Sequence, residues 1–223
     1  MAKPPAKRKA LKPAERARIA EIFERFESEE TDPSTELDYS SPYTLVVAVA
    51  LSAQATDVQV NKATTKLFAA ADTPEKILAL GEDGLKTFIS SIGLFNTKAR
   101  NVIRMAEILL AEHGGEVPLV REQLQALPGV GRKTASVVLN ELRIEPAIAV
   151  DTHVFRVAHR LGLSQGKTPD KVEADLMVVV PEAALTRAHH WLILHGRYVC
   201  VARRPKCEEC LVADLCPSRV SSG

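Results

Sequence analysis

Aromatic side chains are scarce in this sequence, at 4% of 223 residues, and Ala, Leu and Val dominate the apolar set. A sandwich or barrel built on β-branched and aromatic residues is therefore disfavoured, and an all-α fold is expected. Cysteine is absent before position 200: all four lie between 200 and 216, so no disulfide can span the fold. Such tight spacing suits a bound metal centre in a reducing compartment. No apolar run approaches the roughly 20 residues of a membrane helix, and the N-terminal stretch MAKPPAKRKALKPAERAR lacks the apolar core of a secretion signal. A cytoplasmic protein without membrane attachment is expected. Charge of one sign is not in excess either, with 29 basic and 28 acidic residues. The first 18 residues nevertheless carry Lys3, Lys7, Arg8, Lys9, Lys12, Arg16 and Arg18 against Glu15, leaving the rest net acidic. Any anion-binding face must be a local patch, and the arm over 1–12 reads as a flexible, solvated tail.

The length suits one large domain or two small ones. Ser41-Pro42, Thr73-Pro74 and Thr168-Pro169 each place a hydroxyl N-cap before a proline at the first helical position. Leu85, Phe88, Ile89 and Ile92, and again Val154, Val157, Ala158 and Leu161, form helical core stripes. TLVVAVAL, 44–51, is apolar on every face and reads as a buried central helix, with a strand as the alternative. Further helices are expected near 56–70, 97–112, 118–126, 132–143 and 183–198. AIAV, 147–150, is the one short run that reads as extended.

Three constellations carry chemistry. In LPGVGRKTA, 127–135, Gly129 and Gly131 flank Val130 between two predicted helices. The glycines permit positive φ and close backbone approach, so hairpin amides and the next helix N-terminus can grip one phosphate without reading sequence. Val130 is expected to plug into the core below. Lys133 follows in the first helical turn, and Asp151 stands where a helix N-cap is expected. Cys200, Cys207, Cys210 and Cys216 leave gaps of six, two and five residues, a compact thiolate set for a metal centre. Structural zinc is the rival to an iron-sulfur cluster, although only Cys207 and Cys210 form a Cys-x-x-Cys unit.

LPGVGRKTASVVLN followed by IAVDTHVFRV resembles the catalytic core of the endonuclease III family. The resemblance continues through LSAQATDVQVNKAT, IGLFNTKA and the 6-2-5 cysteine spacing, covering 43–217. It implies two helical lobes with a DNA-binding cleft between them. One would be a six-helix bundle with the helix-hairpin-helix over 36–146, the other a cluster lobe of 13–35 with 147–223. It implies a bifunctional glycosylase and lyase of base excision repair, acting as a monomer on damaged double-stranded DNA bearing an oxidised or saturated pyrimidine. The site would be cytoplasmic, and nucleoid-associated in a bacterium. Lys133 would be the Schiff-base lysine and Asp151 the essential carboxylate. Gln54 would fill the space vacated by the extruded base, and Leu94 would wedge the stack open. Gly129, Val130, Gly131, Arg132 and His153 would lie at the DNA. The four cysteines would hold a [4Fe-4S] cluster, with Arg203, Arg204 and Lys206 presenting charge to phosphates.

The chemistry is consistent with these roles. A lysine that attacks a sugar C1′ must be neutral, whereas a free lysine has a pKa of about 10.4. A helix N-terminus and desolvation against a flipped nucleotide both disfavour the protonated amine. Asp151 can accept a proton or stabilise a cation-like sugar, and the sequence leaves both roles open. A monofunctional mismatch glycosylase on the same scaffold would generally lack the lysine. A ferredoxin-like carrier would leave the hairpin unexplained. A plain helix-hairpin-helix scaffold would leave the pairing of Lys133 with Asp151 unexplained.

Overall fold

A computed structural model describes residues 11–220; Lys3, Lys7, Arg8 and Lys9 of the basic arm lie outside them. The described chain runs α1 (Pro13–Glu29), α2 (Pro42–Ser52), α3 (Asp57–Ala70), α4 (Pro74–Ile89), α5 (Phe95–His113), α6 (Arg121–Ala126), α7 (Arg132–Glu141), α8 (Thr152–Arg160), α9 (Pro169–Val179) and α10 (Leu185–Tyr198). Short 3-10 turns occupy Glu182–Ala184, Cys207–Glu209 and Ala213–Leu215, and the described residues contain no β-strand. The all-α expectation holds. The chain divides into two compact units, one spanning Thr35–Glu145 and the other joining the segment up to Ser34 to the segment from Pro146 onward.

The continuous unit is built around α2. Every residue from Tyr43 to Leu51 is buried, so this helix needs apolar partners on all sides and finds them in α3, α5 and α7. Its start is fixed by a capping box: the Thr44 amide donates to Ser41 Oγ at 3.2 Å, and the Ser41 amide donates to Thr44 Oγ1 at 2.9 Å. A helix with such an N-terminus replaces the strand alternative. Thr73 caps α4 as expected, but α4 is broken at Gly81, whose φ of 67° with ψ of 172° is a combination open essentially to glycine. The hairpin of α6, turn and α7 closes the unit, with Val130 only 3% exposed beneath the turn.

In the discontinuous unit, α1 packs Phe23 against Trp191 of α10 and Phe26 edge-on against His195. The Trp191 indole also donates to Glu30 O at 2.8 Å, fixing the end of α1. Helices α8 and α10 cross closely at Gly196, where a Cβ would lie 2.9 Å from His153 Cβ. The predicted stripe of Val154, Val157, Ala158 and Leu161 is buried here. AIAV, 147–150, runs buried outside any helix and pairs with no strand among the described residues. Beyond α10 the chain forms no further α-helix within the described residues. No described helix is long and apolar enough to cross a membrane.

Candidate functional site

The hairpin between α6 and α7 is a tight turn in which Val130 N donates to Leu127 O at 3.0 Å and Gly129 takes φ 81°. A side chain at Gly129 would be strained by that φ and would also meet Asn101, 3.3 Å from the built Cβ. Gly131 does not use the positive φ that a glycine permits. Its φ is −83°, any residue could adopt it, and a Cβ there would meet nothing within 4 Å. What its missing side chain preserves is open backbone on the outer side, where Gly131 N-caps α7 without a side-chain cap. With the Val130 amide taken by Leu127 O, the amides of Gly129 and Gly131 are those available to an external acceptor. Arg132 and Lys133 are exposed at the first two helical positions, so the Lys133 amine stands in the open beside the hairpin.

Two further turns of the same unit hold Gln54 and Leu94. Both are exposed, and both take left-handed backbone, φ 58° and 60°. For residues with a Cβ this costs roughly 1–3 kcal/mol each and is a feature of functional turns. Leu94 is 62% exposed and takes no part in the core. Only four described non-glycine residues have positive φ: Gln54, Leu94, Arg143 and Arg204. Three of those four were selected from the sequence as DNA contacts, which concentrates the backbone strain where a partner is expected.

In the other unit, Asp151 is the N-cap of α8. Its Oδ1 accepts from the amides of His153 and Val154, both at 2.8 Å, so one carboxylate oxygen is fixed by the helix terminus. The His153 ring lies on the first turn of α8, its Nδ1 3.3 Å from Arg156 Nη2. Arg156 in turn donates from Nε to Cys200 O at 3.0 Å and from Nη2 to Gly196 O at 2.7 Å.

The four cysteines are reduced, half-buried, and line a single pocket together with Arg160, His195, Pro205 and Val220. Burial pushes the Cys210 and Cys216 thiols up, and the charge of neighbouring cysteines adds to it. Against this, backbone hydrogen bonds from Val212 and Ser218 favour the respective thiolates. His195 lies 3.7 Å from Cys210 Sγ through Nε2, and burial lowers its pKa to about 4. Four half-buried thiols lining one pocket fit a group that takes four thiolate ligands. Arginines hold the pocket wall. Arg160 donates to Val201 O at 2.8 Å, Ala202 O at 3.0 Å and Cys200 Sγ at 3.4 Å. Arg18 donates to Leu161 O and Leu215 O, and Arg25 to Leu211 O and Asp214. Arg203, Arg204 and Lys206 all point their surfaces to solvent between the first two cysteines, Lys206 lying 3.9 Å from Glu209.

Residues 47–182 match the model of the HhH-GPD superfamily base excision DNA repair protein, and residues 200–216 match the iron-sulfur binding domain of endonuclease III. The chain is 54% identical over 201 residues to endonuclease III of Escherichia coli (strain K12), covering 90% of this chain and 95% of that protein. The chain belongs to the endonuclease III family. Endonuclease III of Rickettsia conorii is 56% identical over 198 residues, covering 89% and 94%. The fold matches a trapped endonuclease III–DNA covalent intermediate in an estranged-adenine complex, with TM-score 0.84, 40% identity, and 94% and 97% of the two chains covered. As a member of the endonuclease III family the chain is a base excision repair enzyme, a DNA glycosylase and abasic-site lyase. Its cofactor is a [4Fe-4S] cluster.

Sequence reasoning did not find Arg18, Arg25, Arg156 or Arg160, because their partners are backbone carbonyls 40 or more positions away. No spacing rule reports such a bond. Lys98 was missed for the same reason, although it stands within the IGLFNTKA stretch.

Proposed function

We propose that this enzyme removes oxidised or saturated pyrimidines from duplex DNA through a Schiff base on Lys133 and then cleaves 3′ to the abasic site by β-elimination. The observation that carries this reading is the Lys133 amine, exposed in the first turn of α7 directly after the uncapped Gly131. A relative of the same fold described as a covalent DNA intermediate supports a nucleophilic mechanism. The amides of Gly129 and Gly131 hold a phosphate, with Val130 seated in the core and Arg132 adding charge. Extrusion of the damaged base places its sugar against Lys133. Desolvation there and the positive end of α7 both favour the neutral amine.

The amine attacks C1′ as the C1′–N bond to the base breaks, and the departing base leaves with that electron pair. Asp151 takes the proton shed by the attacking nitrogen, or balances the positive charge that grows on the sugar. The N-cap bonds to His153 and Val154 fix one of its oxygens, leaving the other for this role. Ring opening gives an imine, which acidifies the C2′ proton. Loss of that proton expels the 3′ phosphate, and hydrolysis of the imine returns Lys133. Gln54 occupies the vacated space and Leu94 props the stack, while His153, Arg203, Arg204 and Lys206 contact the DNA. The thiolates of Cys200, Cys207, Cys210 and Cys216 hold the cluster, which when bound cross-links a segment whose described residues form no α-helix. The enzyme acts as a monomer in the reducing cytoplasm.

The test is product analysis on duplexes carrying one thymine glycol. The reading requires release of free damaged base and a strand ending in an unsaturated aldehyde at its 3′ side. Base release without strand cleavage would instead identify a monofunctional glycosylase.

A further inference from the structure

The turns carrying Gln54 and Leu94 meet over one buried cation. Lys98 is 7% exposed, and its ammonium donates to Leu51 O at 2.9 Å and to Ala53 O at 2.7 Å. These carbonyls end α2, whose C-cap Ala53 leaves the helix with φ −56° and ψ 116° rather than through a left-handed glycine. A cation here satisfies carbonyls that the helix leaves without a partner and opposes the negative end of the helix dipole. Burial pushes the Lys98 pKa down from its ordinary value, so the two carbonyls are what make a charged group tolerable at this position.

Lys98 also belongs to the Leu94 turn. It stands four residues after Leu94 on α5, and its amide donates to Leu94 O at 3.0 Å as the first rung of that helix. The two turns adjoin directly, since a Cβ built on Gly93 would lie 4.0 Å from Gln54 O. Three residues further along α5, Asn101 abuts Gly129 of the hairpin. Positions 94, 98 and 101 fall on one face of a helix. That face therefore carries the Leu94 turn, grips the Gln54 turn and backs the phosphate hairpin.

We propose that Lys98 is a positioning residue that locks the Gln54 and Leu94 turns into one preformed insertion element, so that neither must be ordered when the base is extruded. This rests on the reading of Gln54 and Leu94 as the inserting residues. It explains how two left-handed, exposed side-chain positions are held without glycine: the turn after α2 is pinned by its carbonyls from inside, and the α5 start by its first rung. Preorganisation of this kind lowers the ordering cost of binding without adding a contact to DNA.

The experiment compares Lys98→Met, Lys98→Gln, Leu94→Ala, Gln54→Ala and the double variant Lys98→Met with Gln54→Ala. Met105→Ala, a fully buried change in the same unit, serves as a stability control. Single-turnover excision from a thymine glycol duplex and cleavage at a preformed abasic site are measured for each, alongside thermal stability. Lys98→Met is expected to depress excision about tenfold more than abasic cleavage, and Lys98→Gln, which keeps an N–H donor, about threefold more. Met105→Ala should lower stability with no change in that ratio. Because Lys98 acts through the Gln54 turn, the double variant should be no worse than Gln54→Ala by more than about threefold. Equal losses on both substrates for Lys98→Met and Lys98→Gln, with Leu94→Ala still selective, overturn the proposal and leave Lys98 a plain helix cap. Fully multiplicative losses in the double variant overturn it also. If Leu94→Ala and Gln54→Ala are themselves unselective, the insertion reading is what fails, and the proposal falls with it. Should Lys98→Met not fold, Lys98→Gln carries the same comparison.

Discussion

The unit spanning Thr35–Glu145 is one continuous stretch of chain wrapped around a helix buried on all sides, whereas the other unit collects its elements from both ends of the sequence. The first is held by apolar packing, with side chains from α2, α3, α4, α5 and α7 in a single core. The second has a core as well, but its last described twenty residues contain only 3-10 turns and are held by arginines bonded to backbone carbonyls. Packing of the first kind tolerates the loss of a few atoms at a proportionate cost. The segment of the second kind reaches its core through Val212, with Leu211 and Leu215 packed beside it, and a cluster bound at its four thiols would add a cross-link. The hairpin over 127–131 thus sits on the continuous bundle, while the exposed Arg203, Arg204 and Lys206 sit on the segment that carries the four cysteines.

The largest expected effect separates the two units. Cys207→Ser should abolish the broad absorbance near about 400 nm and cost on the order of 5 kcal/mol or more in the cluster unit. Hydrogen exchange should then accelerate across 200–220 and along α1, whose Arg18 and Arg25 are bonded to that segment, while α2 through α7 stay protected. Leu45→Ala, at a fully buried position of α2, should reverse the pattern: about 2–5 kcal/mol lost from the bundle with cluster absorbance unchanged per folded molecule. Identical exchange patterns in the two variants would show that the units do not differ in the way described.

Arg160→Met sharpens the comparison at smaller scale. It removes donors to Val201 O, Ala202 O and Cys200 Sγ, and should cost about 1.5–3 kcal/mol, with faster bleaching of the cluster under a chelator. Stability lost without faster bleaching would detach Arg160 from the cluster's support. The smallest effect concerns binding alone. Arg203→Gln together with Arg204→Gln should reduce the slope of log affinity against log salt by about one per charge removed, with affinity falling alike on all sequences. An unchanged slope would make these residues a solvated loop.

Much of this organisation was legible in the sequence because it is local. Ser41-Pro42, Thr73-Pro74 and Thr168-Pro169 begin helices in the structure, since a hydroxyl cap and a proline act within one turn. TLVVAVAL is buried all round because nothing in it can face water. Asp151 caps α8 as its position before an apolar stripe indicated. What the sequence concealed is non-local or conformational. The break of α4 at Gly81 hides inside a helical pattern. The unequal roles of Gly129 and Gly131 depend on a turn geometry that a Gly-x-Gly pattern does not specify. Leu94 could be told from a core residue only once its exposure was seen. Lys98 and Arg160 act on carbonyls that any residue type supplies, so their partners leave no mark in the sequence.

The central claim is that Lys133 is the nucleophile, and borohydride trapping on a thymine glycol duplex tests it most directly. The measurement compares wild type, Lys133→Gln and Asp151→Asn, with cluster absorbance confirming that each is folded. Wild type should be captured as a covalent protein–DNA adduct. Lys133→Gln should bind the lesion yet give no adduct and no strand cleavage, because the proposed amine is gone. Asp151→Asn should lose base excision steeply, but cleave a preformed abasic site with a smaller loss, since no base has to depart. Trapping of Lys133→Gln at the wild-type rate would contradict the account and assign the chemistry to another amine.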